Sequence, residues 1–215
     1  MRSVERRGVQ WNVDESFPVT EWFWSEWCDD AWESATLDIV DQFVKPGTTF
    51  VDIGAWIGIV SMWAAKNGAR VIAIEPDPVA LESMNVNVQL NDYHIQVVAG
   101  AVSDVTSMTH LRPHERFGFG DSMTQVSSEG IEVPCWRLQD IFDIYDIDNC
   151  SLVKMDIEGY EAVILPTVAP FLASLNIPLY VSMHYWSTPP ESSWLSHWSD
   201  VIGDPHAFAN VLCIP

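Results

Sequence analysis

The chain predicts an α/β domain built on a doubly wound, mostly parallel sheet, and three observations carry that prediction. Beyond residue 46, short apolar runs rich in β-branched residues alternate with helical stretches. The runs are apolar at consecutive positions, as strands covered by helices on both faces require. No repeat, low-complexity tract or linker rich in Gly, Pro or Ser divides the sequence.

Strands are expected at 49–53, 70–75, 94–100, 151–156 and 178–183, with helices near 58–67, 78–91 and 159–173. Each strand–helix–strand unit should cross over right-handed. Segment 105–136 breaks the rhythm and reads as a β-hairpin or loop insertion between the third and fourth core strands, and 208–214 supplies a last strand. Upstream, Trp32, Leu37, Val40 and Val44 share a helical face within 30–44, which Pro46-Gly47 ends. Trp194 and Trp198, four apart, suit a packing stripe on a helix. Residues 1–215 read as one domain: a Trp-rich, helical extension over 1–45, a candidate substrate lid, and a cofactor-binding core over 46–215.

Thirty acidic and ten basic residues give a formal charge of −20, a field that repels a phosphate backbone and so argues against a nucleic-acid partner. The same field attracts a cationic small molecule, although solubility or a salty environment is the stronger account of it. Cys28, Cys135, Cys150 and Cys213 lie far apart with no CxxC pair, so they read as reduced thiols without a disulfide frame or zinc site. No apolar run reaches the roughly 18 residues needed to span a bilayer, and Arg2, Arg6 and Arg7 precede no apolar segment of a secretory signal. A cytoplasmic enzyme with no membrane partner is expected.

The first strand runs into FVDIGAWIGIVSMWA. Asp52 closes it, Gly54 lets the chain turn, and Gly58 allows the next helix to approach a ligand closely. This D-x-G-x-x-x-G differs from the G-x-G-x-x-G of dinucleotide dehydrogenases, which disfavours a nicotinamide enzyme. At the end of the second strand, ARVIAIEPDP places Glu75 where an acid can accept both ribose hydroxyls. Ala55 and Pro76 flank these positions. The third strand ends in GAVSD, where Val102, Ser103 or Asp104 could meet an adenine edge. The fourth gives SLVKMDIEGYEAVIL, bringing Asp156 and Glu158 to the carboxyl edge, and the fifth ends in VSMHYW with His184. Open α/β sheets bind ligands at that edge. Glu158 also suits a first-turn acid favoured by the helix dipole, and a lone strand-end His is more often a packed residue than a catalyst.

The runs WESATLDIVDQFVKPGTTFVDIGAWIGIVSMWAA, EPDPVALESMNVNVQLN and LVKMDIEGYEAVIL resemble the FkbM-type methyltransferases, from about Trp32 to the end of the chain, where NVLCIP matches the usual final strand. KMDIEG is the most distinctive part. The resemblance implies a Rossmann-like sheet of the class I methyltransferase type, S-adenosyl-L-methionine as cofactor, and hydroxyl acceptors on sugars or polyketide-like products. It puts cofactor contacts at Asp52, Gly54, Gly58, Glu75 and 102–104, and Asp156 and Glu158 beside the reacting methyl. Two features depart from the family. The chain after the fifth strand is short, so a reduced sixth strand is expected. The Trp-rich N-terminal segment matches no family pattern and is the candidate determinant of substrate identity.

Methyl transfer from a sulfonium is an in-line displacement with a neutral thioether leaving group, so the protein must align the acceptor oxygen and remove its proton. Glu158 or His184 is the candidate base, with Asp156 orienting cofactor or acceptor. A small-molecule or glycan acceptor is expected. Two alternatives stay open: a divalent cation held by Asp156, Glu158 and His184, and a module that binds the cofactor without turnover.

Overall fold

The computed structural model describes residues 1–16, 21–184, 192–203 and 209–215. Its core is a seven-stranded sheet. The strands are β3 (Thr49–Ile53), β4 (Arg70–Glu75), β5 (Ile95–Ala99), β10 (Cys150–Met155), β11 (Leu179–Ser182), β12 (Asp200–Ile202) and β13 (Asn210–Ile214). They lie in the order β5-β4-β3-β10-β11-β13-β12. Neighbours from β5 to β11 are parallel, and β13 runs antiparallel to both β11 and β12. The strand order reverses between β3 and β10, which makes their carboxyl ends the topological switch point. β12 has three residues, the reduced strand expected from the short C-terminal segment. Phe208, the expected start of the last strand, lies outside the described residues.

Helices α3 (Ile59–Lys66) and α4 (Pro78–Leu90) cover one face, and α5 (Leu138–Ile144) and α6 (Glu161–Ser174) the other. Strand periodicity sorts the core: Val51, Ile53, Ile72 and Ile74 pack toward α5 and α6, while Phe50, Val71 and Ala73 pack toward α3. α4 starts at Asp77-Pro78 because the Asp77 carboxylate accepts the Val79 and Ala80 amides and proline needs no partner at N1. Trp194 and Trp198 pack against the second face, Trp194 from a 3₁₀ turn (Ser192–His197) and Trp198 just beyond it.

The N-terminal extension is more than helical. β1 (Arg2–Arg6) and β2 (Val9–Val13) form an antiparallel hairpin, followed by α1 (Glu21–Cys28) and α2 (Ser34–Phe43). Arg7 and Gly8 both have positive φ (49° and 76°), as a two-residue hairpin turn of the type I′ class requires. Asn91 exchanges two hydrogen bonds with the Asn12 backbone, and Asn87 accepts the Asp14 amide, which docks β2 on α4. Trp11, Phe23, Trp24 and Trp27 are buried with Trp63 of α3, so much of the tryptophan-rich segment is core.

The interruption after β5 holds more than one hairpin. β6 (Ala101–Val102), β7 (Ser107–Arg112), β8 (Gln125–Ser127) and β9 (Ile131–Trp136) form a separate sheet in the order β6-β9-β7-β8. A long loop between β7 and β8 is tied back to the main domain. The Asp77 carboxylate accepts the Gly120 amide and the Thr124 hydroxyl at 2.7 and 2.6 Å. Among the described residues, no helix is long and apolar enough to cross a membrane.

Candidate active site

A cleft with about 970 Å³ of space, open solvent at its mouth included, lies over the carboxyl ends of β3, β4 and β10. Its floor is the turn after β3. Gly54 has φ +75°, and a Cβ on it would stand 1.8 Å from the Asp156 carbonyl oxygen, so β3 and β10 can adjoin here only with glycine. Its amide and that of Ala55 both donate to the Ile74 carbonyl. Gly58 is also left-handed, but its close approach is to Met84 of α4, 2.8 Å from a would-be Cβ; it serves helix packing and does not line the cleft.

Asp52 sits beneath this floor, fully buried. It accepts a hydrogen bond from the Ser61 hydroxyl at 2.7 Å and lies 3.3 Å from the Lys154 ammonium. Asp52 and Lys154 are register partners on adjacent parallel strands, so one buried charge answers the other. Burial raises the Asp52 pKa against the pull of Lys154 and Ser61. Lys154 is also raised: burial lowers it, and Asp52, Asp156 and Glu33 more than offset that. Its ammonium donates to the Gly54 carbonyl at 3.0 Å and lies 3.7 Å from Asp156.

Glu75 lines the cleft at the end of β4, with its oxygens accepting the Trp56 and Asp77 amides, both at 2.8 Å. Burial pushes its pKa up to about 7, opposed by those two amides. A carboxylate has about four acceptor sites, which leaves room for two further donors. Ala55, Pro76 and Val102 line the same wall. Ser103 and Asp104 do not: they border a separate groove with Arg137 and Thr167, because β6 turns into the second sheet.

At the opposite wall, Asp156, Glu158 and His184 converge as expected. They are joined by Glu161, whose buried carboxylate accepts the Ile157 and Gly159 amides and fixes the loop into α6. His184 Nδ1 has three acceptors around it: Ser182 O at 3.2 Å, Glu161 Oε1 at 3.4 Å and Asp156 Oδ1 at 3.5 Å. Burial lowers the imidazole pKa, but the Glu161 hydrogen bond and the charges of Asp156, Glu158 and Glu161 lift it to about 9. Glu158 is pushed up to about 7, chiefly by burial, with His184 lowering it and Asp156, Glu161 and Asp121 raising it. Asp156, Glu161 and His184 each offer an atom within 4.8 Å of the others, a spacing that suits a metal ion and replaces Glu158 in the set expected from sequence.

Several cleft residues were not expected. Trp32 and Glu33 reach it from the extension, and Asp121, Ser122 and Thr124 from the loop tied to Asp77. Lys154 had a readable signal, since a lone lysine in an apolar strand needs a buried counter-charge. Three non-glycine residues with left-handed backbone, Glu33 (φ 44°), Trp56 (φ 49°) and Glu158 (φ 54°), line this cleft. Such conformations cost about 1–3 kcal/mol each and persist where surrounding structure enforces them.

A doubly wound sheet with an acid at the end of its second strand and a glycine turn at the switch point defines a nucleoside-cofactor-binding protein. The model of the methyltransferase FkbM domain matches residues 52–187, and the chain belongs to that family of S-adenosylmethionine-dependent methyltransferases. A ribosomal protein L11 methyltransferase of Anoxybacillus flavithermus is 48% identical over 59 residues, 27% of this chain and 19% of that protein. The match thus spans about a fifth of that relative's length. Among solved structures, monomeric WbdD aligns with a TM-score of 0.53 at 12% identity, over 88% of this chain and 43% of that one. An RNA methyltransferase from Salinibacter ruber in complex with S-adenosyl-L-homocysteine aligns at 0.43 and 14% identity, over 85% and 89%.

Proposed function

We propose that the chain moves the methyl group of S-adenosylmethionine to a hydroxyl oxygen of a sugar or similar small acceptor, with Glu158 taking the proton. The observation that carries this reading is that Glu158 and His184 line the same cleft as Glu75, with burial lifting the Glu158 carboxyl to about 7 and the surrounding acids lifting His184 to about 9. A base with a pKa near the working pH is well matched to its task. His184, the other candidate base, is protonated at neutral pH and so cannot accept a proton there; its charge instead lowers the Glu158 pKa against the effect of burial. Bound S-adenosylmethionine would supply a methyl group whose carbon–sulfur electron pair is left on a neutral thioether sulfur, and Glu158 would take the proton of the attacking hydroxyl. The formal charge of −20 argues against a polyanionic acceptor such as nucleic acid. Four unpaired cysteines fit a reducing, cytoplasmic setting.

Radiolabelled methyl transfer over a panel of glycans and hydroxylated small molecules tests the proposal. Labelled product with an oxygen-linked methyl is expected; binding without transfer to any acceptor would favour a non-catalytic module. Glu75→Ala should weaken S-adenosylhomocysteine binding by about 10- to 100-fold in calorimetry, the loss expected for charged hydrogen bonds to two hydroxyls. Unchanged affinity would remove Glu75 from the ribose site.

Metal-assisted transfer is a second reading, favoured by the spacing of Asp156, Glu161 and His184. A cation there would lower the acceptor's pKa directly. Turnover that is lost in EDTA and restored by Mg²⁺ or Mn²⁺ would support it; turnover indifferent to both excludes it.

A further inference from the structure

We propose that Glu33, together with Asp156, holds the α-ammonium of the cofactor's methionine moiety, so that the N-terminal extension completes the cofactor site. This rests on the S-adenosylmethionine reading of the cleft. Glu33 precedes the first core strand and lies outside the family match over 52–187, yet it lines the cleft.

Its placement is unusual for its position in the chain. Glu33 is the N-cap of α2, but its side chain makes no capping hydrogen bond, and its left-handed backbone (φ 44°, ψ 41°) is one that L side chains rarely adopt. Glu33 Oε2 is buried without a hydrogen-bond partner, and Asp156 Oδ1 in the same cleft makes no hydrogen bond of its own, with the His184 imidazole beside it at 3.5 Å. The two acids feel one another: after burial, the Asp156 charge is the next largest influence raising Glu33, to about 6.

Lys154 and His184 are the cations at hand, but the ammonium is already directed at the Gly54 carbonyl, Asp52 and Asp156 Oδ2, and His184 Nδ1 is shared among Ser182 O, Glu161 and Asp156. Two anionic oxygens with unused lone pairs therefore call for a cationic group with more than one N–H. The cofactor has two cationic centres. Its sulfonium has no N–H to donate; its primary ammonium has three. Glu75, Gly54, Glu33 and Asp156 line one cleft, so a cofactor held by its ribose at Glu75 would have these oxygens within the same cavity as its amino-acid end. The cofactor carboxylate is a poorer fit, since it would add a third anion to the pair.

Calorimetry on wild type and Glu33→Gln tests this, with three ligands: S-adenosylhomocysteine, its analogue lacking the amino group but keeping the carboxylate, and 5′-methylthioadenosine, which lacks the whole amino-acid end. Glu33→Gln should weaken S-adenosylhomocysteine by about 10- to 100-fold and leave 5′-methylthioadenosine within about twofold, which also reports an intact fold. Removing the amino group should cost wild type a similar factor and cost the variant little more. Equal loss for all three ligands, or no loss for any, would overturn the assignment to the ammonium while leaving the cofactor site in place. If neither S-adenosylhomocysteine nor 5′-methylthioadenosine binds wild type, the cofactor reading fails with it.

Discussion

Glu158→Gln should lower turnover on a confirmed acceptor by about 10²- to 10⁴-fold, the usual worth of a general base, with S-adenosylhomocysteine affinity within about threefold of wild type. The substitution preserves shape and removes the proton acceptor, so single-turnover rates isolate the chemical step. The pH profile adds a second reading of the same residue. Glu158 works ionised, so the rate should rise as pH passes upward through about 7. Replacing His184 with glutamine removes the positive charge that lowers Glu158 and should move this rise to higher pH. If Glu158→Gln keeps wild-type turnover, the proton leaves by another route, and Asp156, a bound metal or alignment alone must supply the catalysis.

Gly54→Ala should be severely damaging, by about 4 kcal/mol or more, a size reserved for a clash that cannot relax. The new Cβ would stand 1.8 Å from one backbone oxygen and 2.9 Å from its carbonyl carbon, both of Asp156. No rotamer change relieves a clash with main chain, so β3 and β10 must separate where the cleft floor forms. Gly47→Ala is the control. Gly47 is also left-handed, at φ +79°, but nothing lies within 4 Å of its would-be Cβ. Backbone strain alone should cost it about 1–2 kcal/mol. Urea unfolding midpoints at matched slopes compare the two, and protection from heat by S-adenosylhomocysteine should disappear in Gly54→Ala. Equal losses at both positions would show that conformation, and not the meeting of the strands, dictates glycine at 54.

The core strands and their flanking helices were legible because a strand buried on both faces must be apolar at consecutive positions. The reversal of strand order then carries Asp52, Glu75, Asp156 and His184 to one edge. Local chemistry alone determined the Asp77-Pro78 helix start, since it depends on a few adjacent residues. Tertiary structure decided which of these groups face a ligand. Asp52 reads as a site acid, yet the register that sets it beside Lys154, 102 residues later, turns it into a buried counter-ion. Gly58 reads as a ligand-approach glycine, and the packing of α3 on α4 assigns it to Met84. Ser103 and Asp104 follow the third strand, but β6 leaves the main sheet and takes them to another groove. Glu33 and Glu161 look like ordinary acids at helix starts. The docked extension and the loop into α6 bring the first to the cleft and set the second against its wall. The physical reason is common to all six: sequence reports the environment that neighbouring residues impose, whereas burial, close packing and charge pairing depend on groups that the fold brings from farther along the chain.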